Sequence, residues 1–186
     1  MSIREYLNKN SAAATIISVV LLVIAIGVML LTSGGNSRGS GQVFFYDLNT
    51  KTIQAVDAST ESPTDLGNGT YAYEDGSAGS AVRASIYTCG DPSDITSGMT
   101  LEQIEAAGGS LISLHRMSAA LLKMQSQATD EQMMNDPRYY ELQETGNLLS
   151  NAEGKVWISE TSPHAEQVYR RTSELCGGED PKYVRP

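Results

Sequence analysis

The sequence predicts an α+β domain behind an N-terminal membrane anchor, its small and mostly antiparallel sheet packed with a few helices. Three observations predict this. Ala12 to Leu31 is a run of twenty uncharged, mostly apolar residues. Beyond it, short segments alternate apolar and polar residues between turn-forming clusters, the pattern of half-buried strands. Interspersed with them are helix starts marked by capping residues, near Thr100 and Ser162.

The elements follow in chain order. A helix of twenty residues rises about 30 Å, the hydrocarbon thickness of a bilayer. Residues 1–10 are read as a short cytoplasmic segment, 11–32 as an uncleaved transmembrane signal-anchor and 33–42 as a Gly/Ser tether. The apolar run is longer than a cleaved leader needs, and Leu30-Leu31-Thr32-Ser33-Gly34 offers no small-x-small cleavage pattern. Arg4 and Lys9 precede the run, which favours a cytoplasmic N-terminus and a C-terminal domain outside the cytoplasm. A pilin-like subunit is the rival. Against it, Arg4, Asn8, Lys9 and Asn10 interrupt the region that a pilin keeps apolar.

Residues 43–186 form the extracytoplasmic α+β domain of this reading. Val43 to Tyr46 and Thr52 to Val56 predict a β-hairpin across a polar turn, Asp47 to Lys51. Ala58 to Gly69 reads as loop and Tyr71-Ala72-Tyr73 as a short strand. Ala81 to Thr88 alternates well and predicts a central strand ending at Cys89. Thr100 and Gln103 fit a capping box, opening a short helix that Gly108-Gly109 stops. Leu111 to Leu114 fits either a strand or the next helix, and Ser118 to Gln125 favours helix. Thr129 to Asn135 is polar and ends at Asp136-Pro137; Tyr139 to Leu142 reads as extended. Leu148 to Ser150 and Lys155 to Ser159, joined by Asn151 to Gly154, predict a second hairpin. Ser162 as N-cap and Pro163 at the first helical position open the last helix. Ala165, Val168, Tyr169, Thr172 and Leu175 share one of its faces, and Cys176-Gly177-Gly178 stops it.

From Val43 onward the chain carries 10 basic and 21 acidic residues, a formal charge of −11. Such a domain repels phosphate backbones, which argues against nucleic-acid binding. The expected contacts are the bilayer, through 11–32, and a protein partner in or near the membrane.

Two cysteines, Cys89 and Cys176, serve the whole chain. In an exported domain they most simply form one disulfide; a reactive thiol and a metal site are the alternatives. There is no Cys-x-x-Cys pair, and His115 and His164 stand apart. A Cys–His thiol enzyme would draw on Cys89 with one of these histidines. His164-Ala165-Glu166 lacks the Pro-Cys-x-x-Cys partner of a zinc deaminase. The carboxylate pairs Glu74-Asp75, Glu102 with Glu105, Asp130-Glu131 and Glu179-Asp180 match no calcium loop and read as solvated charge. Met117, Met124, Met133 and Met134 read first as core filling, second as an adaptable binding face. No cofactor, metal ligand or catalytic residue is assigned.

Cys89-Gly90-Asp91 follows an alternating strand that contains Arg83. The domain opens with Phe45-Tyr46-Asp47-Leu48-Asn49-Thr50 and closes with Trp157, Ser162-Pro163 and Cys176-Gly177-Gly178. On these residues the chain resembles small single-pass membrane proteins of planctomycete bacteria. Those proteins often read Cys-Gly-Asp-Cys and often finish with Cys-x-Pro, where this chain has Pro92 and Val184. If the two absent cysteines pair with each other, the resemblance leaves Cys89 and Cys176 as partners. It implies no activity. The functional expectation is a non-catalytic accessory or structural subunit acting through protein–protein contact.

Overall fold

The structure, a computed structural model, describes residues 41–186. The expected anchor and tether, 11–32 and 33–42, therefore lie outside the described residues, apart from the tether's last two positions. Among the described residues no helix is long and apolar enough to cross a membrane.

The chain order is β1 (Gln42–Asp47), β2 (Ile53–Asp57), β3 (Ala81–Thr88), a short 3-10 turn (Pro92–Asp94), α1 (Leu101–Ala106) and β4 (Gly109–Met117). There follow α2 (Ala119–Gln127), α3 (Asp130–Asn135), α4 (Pro137–Gly146), β5 (Asn147–Ser150), β6 (Ile158–Ser159), α5 (Ala165–Glu174) and β7 (Lys182–Tyr183). The sheet runs β2-β1-β3-β4-β5-β6, with β7 paired to β3, and every pairing is antiparallel. This is the α+β class and the antiparallel sheet that the alternation predicts.

Strand alternation sorts side chains onto two faces. Phe44, Tyr46, Val82, Ala84, Ile86 and Leu114 point into the main core, where Ile104 of α1 joins them. Each of these is at most 1 % exposed, so this face supplies most of the hydrophobic stabilisation. The opposite face carries one row across the sheet, Phe45, Arg83, His115 and Leu149, fixed by the pairing of β1, β3, β4 and β5. Helix α5 packs against β4 with Ala165 buried.

Local chemistry accounts for the element ends. The Thr100–Gln103 capping box forms with both its bonds, and Gly108 leaves α1 at φ +77°, where a side chain would be strained. The β1–β2 turn is organised by Asp47, which is fully buried. Its Oδ1 accepts from the Asn49 and Thr50 amides at 2.8 and 2.9 Å. Its Oδ2 accepts from Asn68 Nδ2 and Ser80 Oγ, both at 2.9 Å. Burial alone would raise this carboxyl; the four donors outweigh it and hold it below the usual range.

Leu111 to Leu114, which the sequence leaves open between strand and helix, is strand, inside β4. Several other expectations need correction. Thr129 to Asn135 is helical, with its own capping box at Thr129. Tyr139 to Leu142 is not extended but lies within α4. Asp136-Pro137 ends one helix and starts the next: Asp136 Oδ1 accepts from the Arg138 amide at 2.9 Å, and proline is tolerated at a helix's first position. Tyr71 to Tyr73 pairs with no strand. Instead Tyr73 stacks edge-on against Trp157 at 5.9 Å. In the second hairpin only Ile158 and Ser159 join the ladder with β5, so Lys155 to Trp157 are loop. Helix α5 starts at Ala165 rather than Pro163, and Ser162 caps only a turn before it, accepting from the His164 amide.

Cys89 and Cys176 are bonded, with Cα atoms 5.6 Å apart and 87 positions apart in sequence. The bridge ties the end of β3 to the end of α5. Strand β7 then returns to β3, with Tyr87 opposite Tyr183, and Val184 is buried in the main core.

Candidate functional site

Outward-facing residues of β3 and β4 form the floor of a cleft of about 530 Å³. Its rim comes from Thr60, Glu61 and Ser62 on one side and from Tyr169 of α5 and Glu160 on the other. The strand register decides the floor. Arg83 lies opposite His115 and Ser85 opposite Ser113, so four polar side chains share one face. Directly beyond this pair the register shifts: Ile86 lies opposite Leu111, leaving Ile112 as the extra residue of a β-bulge.

His115 is the centre of the cluster. Its Nδ1 lies 2.6 Å from Glu160 Oε1. An ionised carboxylate only accepts, so Nδ1 carries the proton in this bond. On the other side of the ring, Nε2 lies 2.8 Å from Ser113 Oγ and 3.1 Å from Ser85 Oγ. Ser113 is fully buried, whereas Ser85 is half-buried and lines the cleft.

Glu160 holds its position through its neighbours. Its amide donates to the Asn147 carbonyl at 2.9 Å. Ser159 Oγ and Thr161 Oγ1 both donate to the Glu144 carbonyl, at 2.7 and 2.9 Å. That carbonyl belongs to the last turn of α4, where carbonyls have no partner within the helix. The Tyr169 ring stands 6.5 Å from the His115 ring. Burial, the nearby Glu160 charge and Tyr87 hold the Tyr169 hydroxyl above its ordinary range, so it is a neutral donor.

The rim is stitched to the floor. Ser62 Oγ donates to the His115 carbonyl at 2.7 Å and accepts from the Arg83 amide at 3.1 Å. The Met117 amide donates to the Ser62 carbonyl at 2.7 Å. The Arg83 side chain uses Nη2, which donates to the Ala58 carbonyl at 2.6 Å. Chemically, the cleft offers an imidazole oriented by a carboxylate, a hydroxyl within reach of its lone pair and an adjacent guanidinium.

Behind β4 a second polar cluster serves the fold. Arg116, buried, donates to Asp75 Oδ2 at 2.8 Å and to Ser77 Oγ at 3.0 Å. Its guanidinium lies 4.2 Å from the Tyr73 ring and 4.7 Å from that of Trp157. Burial pulls the Asp75 carboxyl upward, but the Arg116 bond, the Ser77 amide and hydroxyl and the Ala119 amide outweigh it. The net position is about 2.

The residues singled out in the sequence are dispersed. Both cysteines are in the bridge, so neither offers a thiol and the Cys89–histidine pairing loses its nucleophile. His164 lies at the start of α5 and lines a separate groove with Leu149 and Arg171. Among the described residues no three His, Cys, Asp or Glu side chains form a group that could hold a metal ion. The four methionines do not fill the core. Met117, Met124 and Met133 are half-buried and Met134 is 61 % exposed. Ser85, Ser113 and Glu160 were not legible as site residues. The alternation of β3 does place Arg83, Ser85 and Tyr87 on one face, but only the pairing register brings His115 to them. No protein-family model, curated protein or solved structure matches this chain.

Proposed function

We propose that this chain is a membrane-tethered domain held outside the cytoplasm, working as an accessory or structural subunit through protein–protein contact. The observation that carries the reading is the Cys89–Cys176 bridge. Disulfides persist in oxidising compartments, and this one fastens the C-terminal helix to the central strand. The apolar run Ala12–Leu31 supports a tether, and the formal charge of −11 from Val43 onward supports a surface that stays off nucleic acid and anionic lipid. The resemblance to planctomycete single-pass proteins agrees with the same layout.

The test is extraction of membranes in mild detergent with thiols blocked before lysis, followed by chemical cross-linking and mass spectrometry. The expected result is a membrane-bound chain with both sulfurs oxidised and a partner recovered in fixed ratio. A chain found in the soluble cytosolic fraction with two free thiols overturns the location. A bare monomer in the membrane fraction overturns the accessory role.

A further inference from the structure

The cleft supports a step beyond contact. We propose that Ser85, His115 and Glu160 form a nucleophile–base–orienter set that hydrolyses small carboxylic esters. This stands on the geometry of the cleft, independently of the accessory role, and it displaces the expectation of a domain without catalysis.

The argument starts from hydrogen bonds. A serine hydroxyl is a weak nucleophile until a base takes its proton, and the base must be in hydrogen-bond reach. Ser85 Oγ lies 3.1 Å from His115 Nε2. The base must also present the correct tautomer. Glu160 Oε1, 2.6 Å from Nδ1, holds the proton on that nitrogen and leaves the Nε2 lone pair facing the hydroxyls. Two serines reach Nε2, and burial separates their roles. Ser113 is shut away from any ligand, so it is a positioning residue, whereas Ser85 faces the cleft. Arg83 stands two residues earlier on the same face and lines the same cleft. Its positive charge suits the oxyanion that forms on the carbonyl oxygen. The cleft volume, about 530 Å³, fits a small molecule rather than a folded substrate.

The chemistry balances with water as the only co-reactant. Ser85 Oγ bonds to the acyl carbon while its proton passes to His115 Nε2. The carbon–oxygen bond to the alcohol breaks, and the alkoxide leaves with that proton. Water then adds to the acyl carbon, giving a proton to Nε2. The bond to Ser85 Oγ breaks, and Oγ recovers that proton as the carboxylic acid departs.

The test uses the full chain in mild detergent, a fluorophosphonate probe and p-nitrophenyl acetate. Mass spectrometry of the labelled protein is expected to place the phosphonyl group on Ser85. Ester turnover is expected to fall at least about 100-fold in Ser85→Ala and His115→Ala, the size of a lost acid–base or nucleophile contribution. Ser113→Ala is expected to keep the phosphonyl group on Ser85 while slowing ester turnover, as loss of a contact that positions His115 does, and thermal melts confirm that each variant is folded. No phosphonylation of the folded wild-type chain, phosphonylation at another residue, or turnover that Ser85→Ala leaves unchanged each overturns the proposal.

Discussion

Neutralising Asp75 tests the cluster that holds the loop before β3 against β4. In Asp75→Asn the shape is kept and the charge is removed. Arg116 stays behind with a side chain only 3 % exposed, between the rings of Tyr73 and Trp157. Breaking a buried pair from one side costs about 3–5 kcal/mol, because the remaining charge is stranded. Asp75 itself is 29 % exposed, so water reaches the pair and the expected loss at pH 7 falls to about 2–3 kcal/mol. The pH dependence gives a second readout. The folded carboxyl sits at about 2, below its ordinary 3.8. A depressed carboxyl stabilises in full above the unfolded value, and that stabilisation is lost as pH falls through the folded value. The difference between the two proteins is thus constant above about pH 4 and closes between about pH 4 and 2. Urea unfolding reads this directly, because Trp157 is the single tryptophan of the chain and lies on Arg116. A loss under about 0.5 kcal/mol at pH 7, or a difference that stays the same from pH 4 to pH 2, refutes the reasoning.

Replacing Cys89 and Cys176 together by serine is expected to lower stability by about 4–5 kcal/mol in urea titrations, the chain-entropy value for a loop of this length. A loss below about 1 kcal/mol speaks against it. Gly79 has φ +105°, and a Cβ there meets the Thr64 carbonyl carbon at 2.5 Å. Gly79→Ala is therefore expected to cost more than about 3 kcal/mol, read as a melting point roughly 10 °C lower. An unchanged melting point contradicts that close approach. Asp47→Ala strands four donors in the β1–β2 turn and the following loop, at an expected cost of about 3 kcal/mol, with new protease cleavage within residues 64–80. Resistance equal to wild type would contradict it.

What was legible in the sequence was local. The hairpin of β1 and β2, the strand β3 and the capped start of α1 each carry their signal within one short, continuous stretch of chain. Asp136-Pro137 misled because the same dipeptide that stops one helix also caps and starts the next, which pattern alone does not separate. The two tyrosines of Tyr71 to Tyr73 imitate a strand, but Tyr73 stacks with Arg116 and Trp157, and Tyr71 packs on the Tyr73 ring, rather than joining a ladder. Strand β7 has only two residues, too few for any periodicity, and is made by β3. The cleft was hidden for the same reason. Its residues come from β3, β4, the loop before β3, the segment after β6 and α5, so it exists only once non-local pairing fixes the register. The bulge at Ile112 adds a shift that alternation cannot foresee.

Ser62 sets how the cleft can move. Its hydroxyl stands where a strand-to-strand bond would otherwise join Arg83 to His115, and Thr64 closes a two-bond bridge with Ala81 beside it. The wall made by this segment cannot swing outward as a flap without unzipping the seam that carries the imidazole. The opposite wall is built from Glu160 and from Tyr169 on α5, so separate parts of the fold hold the two sides of the cleft.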